Sequence, residues 1–442
     1  MVAQAAKPVS PLAKRTAASV SRRAEKMPVK PPKVSPADRA VAVSLREQAG
    51  GSVKGFYAER GFWPVWTCTG RIGAEADALL AFLADARLDG LNPDRYDLDE
   101  LRVKVGAARA GGPEAVAAAD LALSEALARY VADVRRPGEK SIKYLDAELK
   151  PHKLKPTEVL RAATLPTSFN AYVTGMGWMS PHYLRLRQAL ATATKAGSSV
   201  AILSRLRLNL DRARLLPGAY TRHIVVDAAS ARLFYYQGGK QQGVMRVVVG
   251  TAQTQTPMLA GMVRYAILNP YWNVPVDLVE KKVAPKILAG QTLAGLRFEA
   301  LTDWTVDAGK LDPAMIDWRA VAAGKREVRV RQLPGPANAM GKVKFMFPND
   351  LGIYLHDTSE RALLTKPDRH FSNGCVRLED APRLGRWLLG KPLAAAGKRP
   401  EQIVPLAQPV PVYLTYLTAT PTAKSVGFLR DVYERDGAAS DR

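Results

Sequence analysis

His223-Ile224-Val225-Val226-Asp227, Arg232-Leu233-Phe234-Tyr235-Tyr236-Gln237 and Gly243-Val244-Met245-Arg246-Val247-Val248-Val249 mark the point at which the chain changes its hydrophobic period. Before about residue 221, apolar side chains recur at three- and four-residue spacing. From here they alternate in twos and are rich in β-branched and aromatic types, the signature of strands with a buried face. Gly238-Gly239 between the second and third run is a hairpin-turn signal, because both central positions of such a turn favour positive φ. Further strand-like runs at Val263–Leu268, Val328–Gln332, Val343–Met346, Ile353–His356 and Val410–Tyr416 extend the meander into a mostly β domain over 221–416. Residues 276–325 interrupt it with helical sequence, Val279–Leu288 and Pro313–Val321, and read as an inserted lid or capping subdomain.

Working outward, residues 41–215 read as a helical scaffold domain. Ala78, Leu79, Phe82, Leu83 and Ala86 lie at helical spacing within Ala74–Leu91, which Gly90 and Pro93 close. Asp120–Val134 and Tyr183–Ala196 read as further helices, and Phe56, Tyr57, Phe62, Trp63 and Trp66 as the aromatic cluster packing them together. Residues 1–40, basic and proline-rich with few large apolar side chains, are expected to be disordered. Residues 417–442 read as a polar tail. The fold class is therefore α+β, helical first and mostly β afterwards.

Composition narrows the function. The 442 residues carry 64 Lys and Arg against 41 Asp and Glu, a net charge of +23 that favours polyanionic surroundings. No apolar run is long enough for a membrane-spanning helix. No secretory h-region is evident, although Ala3-Gln4-Ala5 fits the end of a cleavage signal, so the true start is expected to lie upstream. With only Cys68 and Cys375 and no Cys/His cluster, the chain cannot form a disulfide framework and no structural zinc site is expected.

Chemistry concentrates in Gly352–Leu378, GIYLHDTSERALLTKPDRHFSNGCVRL. A strand-like segment ends at His356. After a spacer come Ser372-Asn373-Gly374-Cys375, then Val376-Arg377. A nucleophilic cysteine needs a base within hydrogen-bond reach and donors for the oxyanion formed on attack. His356 supplies a base, Gly374 a backbone with its N–H groups exposed, and Arg377 a cation that favours the thiolate or binds a carboxylate. Singly, each has a blander reading, since a free cysteine is usually a small buried hydrophobe.

The whole pattern resembles the active-site signature of the L,D-transpeptidase (YkuD-type) catalytic domain. His356, Ser372, Gly374, Cys375, Val376 and Arg377 match it, and Asn373 stands where the family usually has His. Asn269–Pro275, Arg331–Pro336, Lys342–Pro348, the Val249-Gly250 to Thr254–Pro257 turn and Asp89–Pro93 resemble the large periplasmic members. A peptidoglycan-binding repeat common in those members is absent, since 197–220 is too short for it.

The resemblance implies a thiol acyltransferase of the cell wall, a carbapenem target with a part in wall biogenesis and cell shape, and implies no metal or organic cofactor. Cys375 would attack the third residue of a peptidoglycan tetrapeptide stem, with His356 moving the proton. Backbone at Gly374 would hold the oxyanion. Arg377, Ser372, Asn373, Tyr271 and Trp272 would line the substrate cleft. The acceptor is an amine giving a 3→3 cross-link, a lipoprotein lysine, or water in an L,D-carboxypeptidase, and the periplasm is the implied location. His370, within the spacer, reads as surface or substrate-adjacent. Against this stand a catalytically silent peptidoglycan-binding module, a papain-like hydrolase and a nucleic-acid binder. The last lacks any visible recognition motif, so no specific nucleic acid is expected.

Overall fold

The computed structural model describes residues 35–136, 142–305, 307–395, 397–421 and 426–437. The expected disordered segment 1–40 lies outside them up to residue 34. At its end the expectation fails, because a helix already starts at Pro36. Ser35 caps it by accepting the Asp38 N–H.

Among the described residues nine helices lead to the sheet: α1 Pro36–Gln48, α2 Lys54–Glu59, α3 Glu75–Ala84, α4 Leu98–Ala110, α5 Pro113–Val134, α6 Pro156–Thr164, α7 Phe169–Thr174, α8 Pro181–Lys195 and α9 Val200–Arg214. Serine N-caps recur: Ser168, Ser180 and Ser199 each accept the N–H three residues on. This satisfies one of the donors that a helix start leaves open. α3 stops short of the expected Leu91. The chain tightens into a 3₁₀ turn over Ala86–Asp89, which Gly90 ends at φ 73°. α5 starts earlier than the periodicity alone indicates, with Pro113 in its first turn. Its buried stripe, Leu123, Leu127, Tyr130, Val131 and Val134, meets Leu79 and Leu83 of α3 and the buried Tyr57 and Trp66 in one core. Asp120, fully buried on α5, accepts the N–H groups of Val65 and Trp66 and the Tyr57 hydroxyl, so the aromatic cluster packs helices together.

The β-rich region contains β1 His223–Asp227, β2 Arg232–Gln237, β3 Lys240–Gly250, β4 Leu259–Leu268, β5 Trp272–Val274, β6 Phe298–Leu301, β7 Arg329–Gln332, β8 Val343–Met346, β9 Leu355–His356, β10 His370–Ser372, β11 Val376–Leu378, β12 Gln402–Thr415, β13 Ala419–Pro421 and β14 Val426–Phe428. The predicted meander is present. Gly238 and Gly239 turn β2 into β3 at φ 60° and 80°. The strands pair in the order β8-β9-β11-β3-β2-β1-β12-β4, and β4 pairs again with β8, so the sheet closes on itself. Closure removes the exposed edges that an open sheet must protect. The interior is apolar, with Val226, Leu233, Val247, Val263, Phe345, Leu355, Val376 and Leu414 in one cluster. Val225, Tyr236, Ala260 and Tyr413 face the other way and join the helical core. Lys143–Tyr144, ahead of the helices α6 to α9, adds a short parallel strand to β4.

Two further boundaries differ from the expectation. The insertion is larger than 276–325. β5, β6 and β7 form a separate three-stranded antiparallel sheet, and Val274, Val283, Ala300, Trp318 and Val330 form a core of its own. Val328–Gln332 therefore belongs to the insertion and not to the main sheet. Periodicity assigned it to the nearest strand-rich run because a strand does not announce its partner. Asn338 Nδ2 stitches the base of the insertion by donating to Pro270 O at 3.1 Å and to Leu333 O at 3.1 Å. The polar tail is also not a tail. Thr418, Ala419, Tyr433 and Asp436 are buried, and β13 pairs with β14. Its polar side chains are satisfied by other polar groups of the chain, which a composition reading cannot distinguish from solvation.

Candidate active site

β9 and β11 are parallel neighbours, with Leu355 opposite Val376 and His356 opposite Arg377. Leu355 and Val376 point into the barrel core. His356 and Arg377 therefore lie on the other face, together with Tyr354 and Cys375 one pair earlier. Val376 N–H donates to Tyr354 O at 3.0 Å, which continues the ladder to the cysteine. Strand spacing and rise put His356 and Cys375 diagonally across this ladder, roughly 8 Å apart at Cα.

His356 is buried, and its Nδ1 lies 2.5 Å from Asp357 O. A carbonyl oxygen only accepts, so Nδ1 carries the hydrogen and Nε2 the lone pair. Burial, the Arg377 guanidinium and Lys344 push the imidazole down to about 3, against the Asp357 carbonyl. It is neutral near pH 7. The half-buried Cys375 thiol donates to Gly352 O at 3.4 Å. Burial raises it above the ordinary thiol value, while the Tyr354 backbone and Arg377 pull it down. The resting pair is thus a thiol facing a neutral base, not a thiolate beside an imidazolium.

The Ser372–Cys375 loop is held from within and from behind. Ser372 Oγ donates to Cys375 O at 2.6 Å and accepts the Gly374 N–H at 3.1 Å. Gly374 sits at φ 104°, and a Cβ there would lie 2.8 Å from Ile353 Cδ1. The Val249–Thr256 turn backs the loop. Thr254 Oγ1 donates to Ser372 O at 2.9 Å, and Thr256 Oγ1 donates to Gly374 O at 2.9 Å while accepting the Gly250 N–H at 2.9 Å. At Gly250 a Cβ would fall 2.0 Å from Thr254 O, so only glycine permits this approach.

Each residue singled out in the sequence can now be placed. Cys375, His356 and Arg377 share one face. Arg377 forms an ion pair with Glu360, so its charge is already engaged. Ser372 is buried and builds the loop. Asn373 is exposed on its rim. The Gly374 N–H is spent on Ser372, whereas among the described residues no acceptor meets the Cys375 N–H. Tyr271 and Trp272 lie at the insertion: Arg331 stacks 4.2 Å over the Tyr271 ring, and Trp272 packs near Phe298. No described contact joins either to the cysteine loop. His370 places its ring nitrogens against Asp368 Oδ1 and Ala228 O. Tyr354 was missed. It lies on the Cys375 face, and burial together with the Cys375 and Glu401 charges drives its hydroxyl up to about 12. The alternation around His356 was the signal that could have found it.

A thiol and a neutral imidazole thus lie on one face of a closed β structure that follows a helical region in the chain. Residues 221–412 match the L,D-transpeptidase catalytic domain and residues 51–190 match a scaffold domain, so the chain carries an L,D-transpeptidase catalytic domain preceded by a scaffold domain. A protein of Haemophilus influenzae described as "Putative L,D-transpeptidase" is 31% identical over 262 residues, covering 58% of this chain and 52% of that protein. The chain thus spans about half the length of the curated relative it matches. An L,D-transpeptidase from Mycobacterium smegmatis is similar at 12% identity, covering 44% of this chain and 58% of the other with a TM-score of 0.22. An Ldtfm–avibactam carbamoyl enzyme is similar at 13% identity, covering 66% and 80% with a TM-score of 0.22. Both are weak superpositions. Among the described residues no helix is long and apolar enough to cross a membrane.

Proposed function

We propose that the protein is a peptidoglycan L,D-transpeptidase acting in the periplasm. The observation that carries this reading is the Cys375–His356 arrangement on one face of β9 and β11, with His356 neutral and its Nε2 lone pair free of the Asp357 hydrogen bond. Cys375 Sγ attacks the carbonyl carbon of the third stem residue as His356 Nε2 takes the thiol proton. The Cys375 N–H, with no described protein acceptor, is a better oxyanion donor than the Gly374 N–H. The tetrahedral intermediate collapses to a thioester, and the proton on His356 leaves with D-Ala. An amine of a second stem then attacks the thioester, restores the thiol and closes a 3→3 peptide bond. Arg377, held in an ion pair by Glu360, acts on the pair through its field and not as a free carboxylate clamp.

The test is mass spectrometry of the purified protein incubated with a disaccharide tetrapeptide, beside Cys375→Ala. Loss of D-Ala with a 3→3 dimer, absent in the variant, is the expected result. D-Ala loss without dimer makes water or a protein lysine the acceptor. No turnover, with Cys375 inert to a carbapenem, removes the catalytic reading and leaves a peptidoglycan-binding module.

A further inference from the structure

The end of the described chain reaches the nucleophile loop through the turn behind it. Tyr433 is 2% exposed. Its hydroxyl donates to Gly250 O at 2.7 Å and accepts the Thr256 N–H at 3.3 Å. Its ring stacks on Tyr416 at 4.8 Å, and its N–H donates to the Tyr416 hydroxyl at 3.0 Å. Two residues on, Arg435 donates to Gln255 Oε1 at 2.7 Å and to Thr256 O at 3.1 Å, while Gln255 Nε2 donates back to Tyr433 O at 3.2 Å. The same 250–256 turn braces Ser372 and Gly374 through Thr254 and Thr256, so this segment grips the turn that holds the loop. The other end of the segment is anchored in the helical region. Asp436, 3% exposed, binds Arg205 at 2.8 Å and Arg212 at 2.7 Å, both on α9.

We propose that Leu429–Gly437 is a strap by which the helical region fixes the nucleophile loop, with Tyr433 as its positioning residue. Tyr433 touches neither the cysteine nor a substrate; it acts through Gly250 and Thr256. The order is contiguous: α9, Asp436, Arg435 and Tyr433, the 250–256 turn, Gly374 and Cys375. The links between segments are named hydrogen bonds and ion pairs, and those within 433–436 and 374–375 are the covalent backbone. Loosening the grip lets the loop shift and admits water to a thiol that burial now shields.

The test uses the full chain with Tyr433→Phe, which keeps the stacked ring and removes only the hydroxyl. Iodoacetamide alkylation of Cys375, read by peptide mass spectrometry, needs no peptidoglycan. It is expected to run about fivefold faster in the variant at pH 7.5, with the midpoint of its pH profile shifted down. Acyl transfer, where the reading above holds, is expected to fall about tenfold in kcat with KM within about twofold, the pattern of a displaced reacting group. Arg435→Gln is expected to move both readouts in the same direction if Tyr433→Phe folds poorly. Leu83→Ala, in the helical core away from the strap, must leave the alkylation profile unchanged. Wild-type alkylation in both strap variants, or an equal shift in Leu83→Ala, overturns the strap. An alkylation shift in a protein that never transfers an acyl group supports the strap and removes the proposed activity instead.

Discussion

Ser372 Oγ donates to the carbonyl oxygen of Cys375, three residues along, at 2.6 Å. Ser372 Oγ also accepts the Gly374 N–H, so one buried hydroxyl closes the turn that presents the thiol. Ser372→Ala removes both bonds and leaves the Gly374 N–H buried without an acceptor, at a cost of about 1–3 kcal/mol. The expected result is a melting temperature lower by several degrees and a Cys375 acylation rate reduced about 10- to 100-fold, whereas Ser372→Thr retains most of both. Stopped-flow acylation with a carbapenem, beside calorimetry, checks it. Full activity in the alanine variant would show that the turn holds without the hydroxyl.

Gly374 makes a separate demand. Its φ of 104° is a conformation that alanine adopts only under strain of about 1–3 kcal/mol. The clash of an added Cβ with Ile353 Cδ1 is the lesser obstacle, because the end of that side chain can move. Gly374→Ala should therefore abolish measurable acyl transfer, and the double variant with Ile353→Ala should not restore it. Restoration would place the difficulty in space and not in the backbone.

The geometry of Cys375 and His356 fixes a pH signature. A preformed thiolate–imidazolium pair would be alkylated at a rate nearly independent of pH from the imidazole range upward. Here burial raises the thiol and depresses His356 to about 3. The iodoacetamide rate is expected to climb continuously with pH and to level only above the ordinary thiol value of about 8.5. Arg377→Gln removes a cation that favours the thiolate, so it shifts the curve further up. A plateau below pH 7 would contradict the neutral pair.

Much of this site was legible in the sequence because its parts are local. His356, the SNGC loop and Arg377 fall within one short stretch, and alternation about residue 355 separates core-facing Leu355 and Val376 from the face that carries His356, Arg377 and Cys375. The hairpin glycines and helix caps are equally local. What escaped was relational. Glu360 claims Arg377, Ser372 claims the Gly374 N–H, and Tyr433 reaches Gly250 from 183 residues away. Nothing in the local pattern around Asp436 indicates that Arg205 and Arg212 bury it, so the end of the chain read as solvated. The insertion was mis-bounded for a similar reason: strands β5 and β7 carry ordinary strand patterns, and only their pairing assigns them to a separate sheet.

Acid stability follows from a competition between buried histidines and buried aspartates. Burial depresses His182 and His356 to about 3 and His223 to about 4. Between those values and the unfolded value of about 6.5, the unfolded chain binds up to three more protons than the native one, so these groups make stability rise with pH. Burial raises Asp120 and Asp227 to about 6. Between about 3.8 and 6 the native state holds up to two protons that the unfolded chain has lost, which makes stability fall with pH. Near pH 5 the histidines prevail by about one proton, a slope of about 1.4 kcal/mol per pH unit. Urea midpoints are expected to fall steadily from pH 7 to pH 5. In Asp120→Asn the opposing contribution of one aspartate is gone, so the fall should steepen to about two protons per unit. A midpoint flat or rising on acidification would mean that the three imidazoles are not held neutral in the fold.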